Sequence, residues 1–292
     1  MASLKEVKGR IATVNNTRKI TSAMKMVASA KLHKAQGAIT NMLPYERRLH
    51  GLLTNLLGGG EVLIWNTPRE VKRVALVVFS SNSSLCGGFN ANVIKHATQW
   101  LDEYQSLGKE NILLYPVGKK VADALSKMGY AVQGNFQHLA DNPSFAEAAE
   151  LAQGLMNLFT QGEVDRVELL YNHFKSTASQ ILTNEVYLPF ILCHPEEHCD
   201  EGSRKHQEET DYILEPSREE LLKTLLPKVL RMKLYTVLLD SNASEHAART
   251  MAMQIATDNA DDLLQELTLM YNKTRQQAIT NELLDIVGGS IA

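Results

Sequence analysis

The chain has 292 residues, 44% of them hydrophobic and 22% charged, a balance that excludes disorder for its bulk and suits a protein with a buried core. Its 30 Lys and Arg against 33 Asp and Glu leave a net charge of -3, which argues against a nucleic-acid binder. No run approaches the ~18 uncharged apolar residues of a membrane-spanning helix. The start, Met1 to Glu6, lacks the apolar core of a signal peptide, and three cysteines argue for a reducing compartment rather than a disulfide scaffold. A soluble, intracellular protein of about two domains' length is expected.

Residues 1–57 contain one proline, Pro44, and a heptad pattern. Alternate steps of three and four give Leu4, Val7, Ile11, Val14, Arg18, Thr21, Lys25, Ala28, Leu32, Ala35, Ile39, Met42, Glu46, Leu49, Leu53 and Leu56, of which twelve are apolar. A seam sustained this long predicts a coiled-coil helix, stopped by Gly58-Gly59-Gly60. Arg18, Thr21 and Lys25 interrupt it in three successive positions. Either the partner helix is set back there, or the stretch faces something other than that helix. The second reading is favoured because apolar positions resume on both sides. Residues 1–50 also carry ten Lys and Arg against Glu6 and Glu46, an electropositive arm that calls for an acidic partner. A solvated helix face is the alternative.

From Val71 to about Phe190 the period changes. Strands are predicted over Val74–Phe79, Asn111–Val117, Val167–Tyr171 and Ser179–Val186, the last as an antiparallel edge. Helices are predicted over Asn90–Leu107, Lys119–Lys127 and Phe145–Phe159. The alternation implies a mostly parallel sheet covered on both faces.

Residues 193–216 read as a polar, acidic loop. Ser217-Arg218-Glu219-Glu220 then has the spacing of a capping box, opening a second long seam through Leu222, Val229, Leu239, His246, Met253, Ala260, Leu267 and Ala278. Pro227 should kink this helix or divide off its first turns, and Gly288-Gly289 end it. At ~1.5 Å per residue the terminal helices would be about 80 and 100 Å long, so neither can bury its seam on the central domain alone. The expected architecture is α/β plus a long antiparallel coiled coil, a rod with a Rossmann-like domain at one end. Its segments are an N-terminal helix (1–60), the α/β domain (70–192), the acidic loop (193–216) and a C-terminal helix (217–287).

Chemistry-bearing motifs are few. Ser80–Asn90 sits where α/β folds bind phosphates, but has neither the G-x-x-x-x-G-K-[ST] nor the G-x-G-x-x-G spacing and no lysine. Cys86 within it is either a nucleophile or, as favoured, a packed inert thiol. Cys193-His194-Pro195-Glu196-Glu197-His198-Cys199 could ligate a metal or form a dithiol, but lacks the paired-knuckle spacing of a structural zinc site. No carboxylate pair stands out as an acid–base dyad. No catalytic residue, cofactor or metal is expected. An enzyme using the Ser80–Asn90 loop and dimerising through its helices is the competing hypothesis, and a nucleic-acid scaffold a third.

Three sets of residues together resemble the gamma subunit family of F-type ATP synthases. They are Arg10 to Ala28 (RIATVNNTRKITSAMKMVA), the loop Leu85-Cys86-Gly87-Gly88-Phe89-Asn90, and the C-terminal runs Ser244–Arg249, Ala256–Ala260 and Tyr271–Glu282. The ordered set spans the chain. The resemblance implies a non-catalytic rotor shaft whose coiled coil lies inside a ring of three alpha and three beta subunits. Its α/β domain would contact the epsilon subunit and the membrane c-ring. Proton-driven rotation would then force the catalytic sites of the ring through different conformations. Carried over by position, Met24 and Lys25 face beta, and Arg249, Arg275, Gln276, Thr280 and Glu282 serve coupling and the contact between shaft and ring. Tyr212 is a foot position near epsilon and the c-ring. The polar break at Arg18, Thr21 and Lys25 would face the ring. Thr250 departs from a usual Met, and Gln277 is an additional polar residue. Cys193 and Cys199 have the spacing of the chloroplast redox switch, but the longer segment that carries that switch is missing. The chain is thereby expected to be bacterial, peripheral, and on the cytoplasmic face of the plasma membrane.

Overall fold

The computed structural model describes residues 3–57, 65, 69–190, 214, 215 and 217–289. Gly58-Gly59-Gly60, the Cys193–Cys199 cluster and Tyr212 lie outside them. The first helix, α1 (Leu4–Leu57), is opened by Ser3, whose hydroxyl accepts from the Glu6 amide at 3.2 Å. All sixteen seam positions of α1 are buried or half-buried, the polar ones included. The heptad pattern therefore marks one continuous buried stripe.

The central region runs β1 (Val74–Phe79), α2 (Phe89–Glu103), β2 (Ile112–Val117), α3 (Lys119–Lys127), α4 (Gln137–Asp141), α5 (Phe145–Thr160), β3 (Arg166–Phe174) and β4 (Gln180–Leu188). Helix α2 ends earlier than the sequence suggests, replaced after Tyr104 by a 3-10 turn over Gln105–Leu107. The five-residue α4 has too short a periodic signal to be read in advance. Strand order is β2-β1-β3-β4, with β1 parallel to β2 and β3, and β4 antiparallel to β3.

All six residues of β1 are buried, as expected of a central strand covered on both faces. Val74, Leu76 and Val78 pack with Val93, Ala97 and Trp100 of α2 and Val121 and Leu125 of α3. Ala75, Val77 and Phe79 pack with α5 and also with Leu49, Leu53 and Leu56 of α1 and with Leu222, Leu226 and Leu230 of the last helix, α6 (Arg218–Gly289). The inner parts of both long helices thus form one wall of the α/β core.

The last helix, α6 (Arg218–Gly289), starts at the predicted capping residue: the Glu220 amide donates to the Ser217 hydroxyl at 3.3 Å. It runs unbroken across Pro227 and is not divided there. The ring removes one intrahelical donor, and the buried neighbours Leu222, Leu226, Val229 and Leu230 hold the helix on the core regardless. Arg218 also closes the end of α1. Its Nε donates to the Leu56 carbonyl at 2.7 Å and its Nη2 to the Asn55 carbonyl at 3.1 Å, filling acceptors that a helix terminus leaves open.

The chain forms two compact units, Met1–Ala30 with Arg249–Ala292, and Lys31–Ala248. In the larger unit His173 Nδ1 lies 2.6 Å from Asp240 Oδ2, and the same carboxylate accepts from the Phe174 amide at 2.8 Å, tying the end of β3 to α6. In the smaller unit α1 and α6 pair in antiparallel fashion: residues 18, 21 and 25 meet residues 261, 257 and 254 in turn.

Candidate functional site

Two places hold candidate chemistry: the crevice at the carboxyl ends of β1 and β2, and the helix pair of the smaller unit. The crevice is where parallel α/β sheets accommodate ligands, next to free amides at a helix N-terminus. Here the chain fills it. The Lys119 amide donates to Asn82 Oδ1 at 2.9 Å, the Lys120 amide to the Ser81 carbonyl at 3.2 Å, and the Val121 amide to Ser80 Oγ at 3.3 Å. The N-terminus of α3 is therefore occupied by the loop preceding α2. Gly118 makes the approach possible: its φ is +117°, and a Cβ there would come within 2.2 Å of the Ser80 carbonyl oxygen.

Helix α6 lies across the same opening. Asn242 Nδ2 donates to the Ala140 carbonyl and Ser244 Oγ to the Asn172 carbonyl, each at 2.8 Å. Ser80, Ser241, Asn242 and Glu245 border a cavity of about 10 Å³, room for a single water. The Cys86 thiol is 2% exposed and accepts from Asn90 Nδ2 at 3.0 Å, matching the packed-thiol reading. Asn90 also accepts from the Ser81 amide, so the loop's polar groups close on one another.

On the helix pair, the polar break in the seam does not face away from the partner helix, as the sequence reading favoured. Arg18 Nη1 donates to Asp261 Oδ1 at 2.8 Å, Thr21 Oγ1 lies 2.8 Å from Thr257 Oγ1, and Lys25 Nζ donates to Gln254 Oε1 at 2.6 Å. Gln254 Nε2 in turn donates to Asp258 Oδ1 at 2.7 Å. Burying polar groups between helices is tolerable only when they are paired, and here each break on α1 meets a complementary residue on α6. Val7 and Ala28 on α1 and Met253 and Ala260 on α6 are buried around them.

Away from the seam the pair presents apolar surface. Ile20, Met26 and Val27 on α1 and Leu269, Leu284 and Ile286 on α6 are each at least 60% exposed. The basic residues Lys5, Lys8, Arg10 and Lys19 are also exposed, Arg10 pairing with Glu6 at 2.8 Å.

The residues singled out in sequence fall into separate places. Met24 and Lys25 are half-buried on α1, Lys25 turned toward Gln254; Arg249 is half-buried on α6. Arg275, Gln276, Thr280 and Glu282 are exposed on the last turns of α6, and the Thr280 hydroxyl donates to the Gln276 carbonyl at 2.9 Å. In the antiparallel register these four lie about 30 to 40 Å along α6 from the level of Lys25. Tyr212 is outside the described residues. Gln254, Asp258 and Asp261 were missed in sequence. The signal was present: polar seam positions on two antiparallel helices must meet at a constant sum of residue numbers, and 18 with 261, 21 with 257 and 25 with 254 do so to within one.

Among the described residues, no group of three or more His, Cys, Asp or Glu could hold a metal ion, and no helix is long and apolar enough to cross a membrane.

A family model described as ATP synthase matches residues 3–292. The ATP synthase gamma chain of Phocaeicola vulgatus is 68% identical over 294 aligned positions, covering both chains completely. That of Bacteroides fragilis is 61% identical, again over the full length of both. Among solved structures, a chain of the Tetrahymena thermophila mitochondrial ATP synthase central stalk and c-ring matches with a TM-score of 0.56 and 25% identity, covering 81% of this chain and 99% of that one. A chain of the Euglena gracilis mitochondrial ATP synthase matches with a TM-score of 0.63, covering 99% and 93%, and at 19% identity it shares the fold. Two terminal helices paired through a seam and an α/β unit built on their inner parts are the architecture of an ATP synthase stalk subunit. The chain belongs to the ATP synthase gamma chain family.

Proposed function

We propose that this chain is the central rotor shaft of an F-type ATP synthase, coupling proton flow through the membrane sector to ATP synthesis in a ring of three alpha and three beta subunits. It carries no catalytic site of its own in this reading. The observation that carries the proposal is the paired α1–α6 unit, whose inward polar residues are matched to each other while apolar and basic side chains point outward. Such a surface suits a body that turns against changing neighbours: its internal bonds are complete, and its outer contacts are exchangeable. Kinship over the full length with gamma chains supports the same reading.

Within it, Met24, Arg249, Arg275, Gln276, Thr280 and Glu282 contact beta and transmit coupling, and Lys25 does so from the exposed edge of the seam, where its ammonium is also bonded to Gln254. The basic face of α1 meets acidic loops of beta, where charge complementarity guides contact without a rigid complex. Tyr212 lies at the foot, near the epsilon subunit and the c-ring. The α/β domain of residues 70–192 forms that foot, flanked by the helices of 1–60 and 217–287 and the acidic loop of 193–216. The complex sits peripherally on the cytoplasmic face of a bacterial plasma membrane. The competing enzyme reading is disfavoured by the crevice, whose amides are already bonded to the chain itself.

The test is ATP hydrolysis by purified alpha and beta subunits with and without this chain, and by the chain alone. The expected result is no activity alone, a large stimulation in the mixture, and loss of that stimulation when the helix after Arg275 is deleted. Hydrolysis by the chain alone overturns the proposal.

A further inference from the structure

A cavity of about 100 Å³ lies in the larger unit between α1, the sheet and α6. Its floor is apolar. Leu169 of β3 and Leu230 of α6 are fully buried there, and Leu49 of α1 with Val229 and Met232 of α6 are each under a tenth exposed. The Tyr187 ring completes the floor, but its hydroxyl is spent on the Leu230 carbonyl at 2.9 Å. Protein interiors are packed closely enough that voids larger than a water are few. A water held in such a space needs about two to four polar partners, and this floor offers none. The space suits carbon instead. A cavity of about 150 Å³ lined by similar side chains holds benzene, so this one has room for about four carbons.

The rim is charged. Glu46 of α1, Glu185 of β4 and Lys233 of α6 all border the cavity, two carboxylates against one ammonium. Glu185 is fully engaged: one oxygen lies 2.9 Å from Lys233 Nζ and the other accepts from the Tyr171 hydroxyl at 3.2 Å. Lys233 is thereby answered, and Glu46 is not. It is half-buried, and among the described residues it makes no hydrogen bond or ion pair. The neighbouring phenol feels this excess of negative charge, since after burial the Glu185, Asp240 and Glu46 carboxylates each push Tyr171 up. A guest with a positive charge at one end gives Glu46 a charge-assisted bond while its carbon end fills the floor. An anion is repelled, and a neutral guest fills the floor but leaves Glu46 as it is.

We propose that this cavity is a binding site for a small primary ammonium ion with an aliphatic body of about four carbons, its alkyl group on Leu169 and Leu230 and its ammonium on Glu46. The site belongs to the larger unit alone and does not rest on the rotor reading.

The experiment follows methyl NMR signals of the full-length chain labelled at methionine, Met232 being assigned by its loss in Met232→Leu. n-Butylammonium, n-butanol and n-butyrate are titrated at constant ionic strength. n-Butylammonium is expected to shift the Met232 methyl saturably, with half-saturation in the low millimolar range and about tenfold below that of n-butanol. n-Butyrate should leave it unmoved. Ethylammonium and n-hexylammonium should both bind more weakly than n-butylammonium, because one underfills the floor and the other overruns it. In Glu46→Gln, n-butylammonium should weaken to the level of n-butanol while n-butanol is unchanged, a split that a merely structural role for Glu46 would not produce. Val229→Phe should abolish binding of both by filling the space; if it does not fold, Glu46→Gln alone decides. The inference is overturned by the absence of a saturable shift, by equal affinities for n-butylammonium and n-butanol, by undiminished n-butylammonium binding in Glu46→Gln, or by binding retained in a folded Val229→Phe. Affinity that keeps rising from butyl to hexyl also overturns it, since that marks adsorption to exposed apolar surface. ATP hydrolysis in the subunit mixture is not read, so the site and the rotor reading can fail separately.

Discussion

The Trp100 indole Nε1 donates to the Glu168 carboxylate at 2.6 Å, linking α2 to β3 near its start at a residue that is only 3% exposed. The same carboxylate accepts from the Tyr104 hydroxyl at 2.9 Å and from Asn184 Nδ2 at 2.8 Å. The Arg166 Nε lies 2.8 Å away, supplying charge without an aligned hydrogen bond. A buried carboxylate with three donors and a cation is tolerable; its donors without it are not. Glu168→Leu is therefore expected to destabilise the larger unit by about 3 kcal/mol, with Glu168→Gln costing less because an acceptor survives. Urea denaturation checks this, and a loss below about 0.5 kcal/mol for the leucine variant would contradict it.

The neighbouring phenol makes a pH prediction. Burial, and then the Glu168 carboxylate, push Tyr104 up to about 12. A group raised in the folded state favours folding below its unfolded value and loses that contribution as pH climbs, because the unfolded chain releases the proton first. Stability should thus fall between pH 10 and about 12, and less steeply in Tyr104→Phe. Burial also raises Tyr171 and Tyr187, so phenolate absorbance should show late-titrating tyrosines that appear only on unfolding. Full phenolate absorbance in the folded chain near pH 10 would exclude this picture.

Gly118→Ala tests the filled crevice. The left-handed backbone and the approach to the Ser80 carbonyl both resist a side chain, and the neighbour is backbone that cannot swing aside. A loss of about 2–4 kcal/mol is expected, with protection of the Lys119, Lys120 and Val121 amides reduced in hydrogen exchange. An alanine variant as stable as the parent would mean that the loop accommodates what this geometry forbids.

Arg275, Gln276, Thr280 and Glu282 separate surface function from stability. All four are exposed, so alanine at each should shift stability by no more than about 0.5 kcal/mol. In the rotor reading the same substitutions lower the stimulated hydrolysis of an alpha and beta mixture several-fold, Arg275→Ala most, because a guanidinium offers the most directed donors. Unchanged stimulation by all four variants would remove them from the contact surface.

The helices were legible because their signals are local. A seam of sixteen positions, a serine three residues before a glutamate, and strands alternating with helices need no knowledge of what lies opposite. The gamma chain kinship was legible for a related reason: its motifs run from Arg10 to Glu282 in order. Two features were not. The direction in which Arg18, Thr21 and Lys25 face depends on residues more than 200 positions away, and a polar seam position reads the same whether its partner is water, another subunit or a threonine. The crevice was equally hidden, since the spacing of Ser80–Asn90 says what the loop lacks but not that α6 lies across it.

The sequence by itself determined where the chain is helical, where it alternates, which stripe of each long helix is apolar and which family the motifs spell out, because periodicity and order along the chain are one-dimensional facts. Only the tertiary structure decided the pairings: Arg18 with Asp261, Asn242 with the Ala140 carbonyl, Arg218 with the end of α1. A side chain's polarity states that it needs a partner, and geometry alone selects which of the chain's many donors and acceptors comes within three ångströms of it.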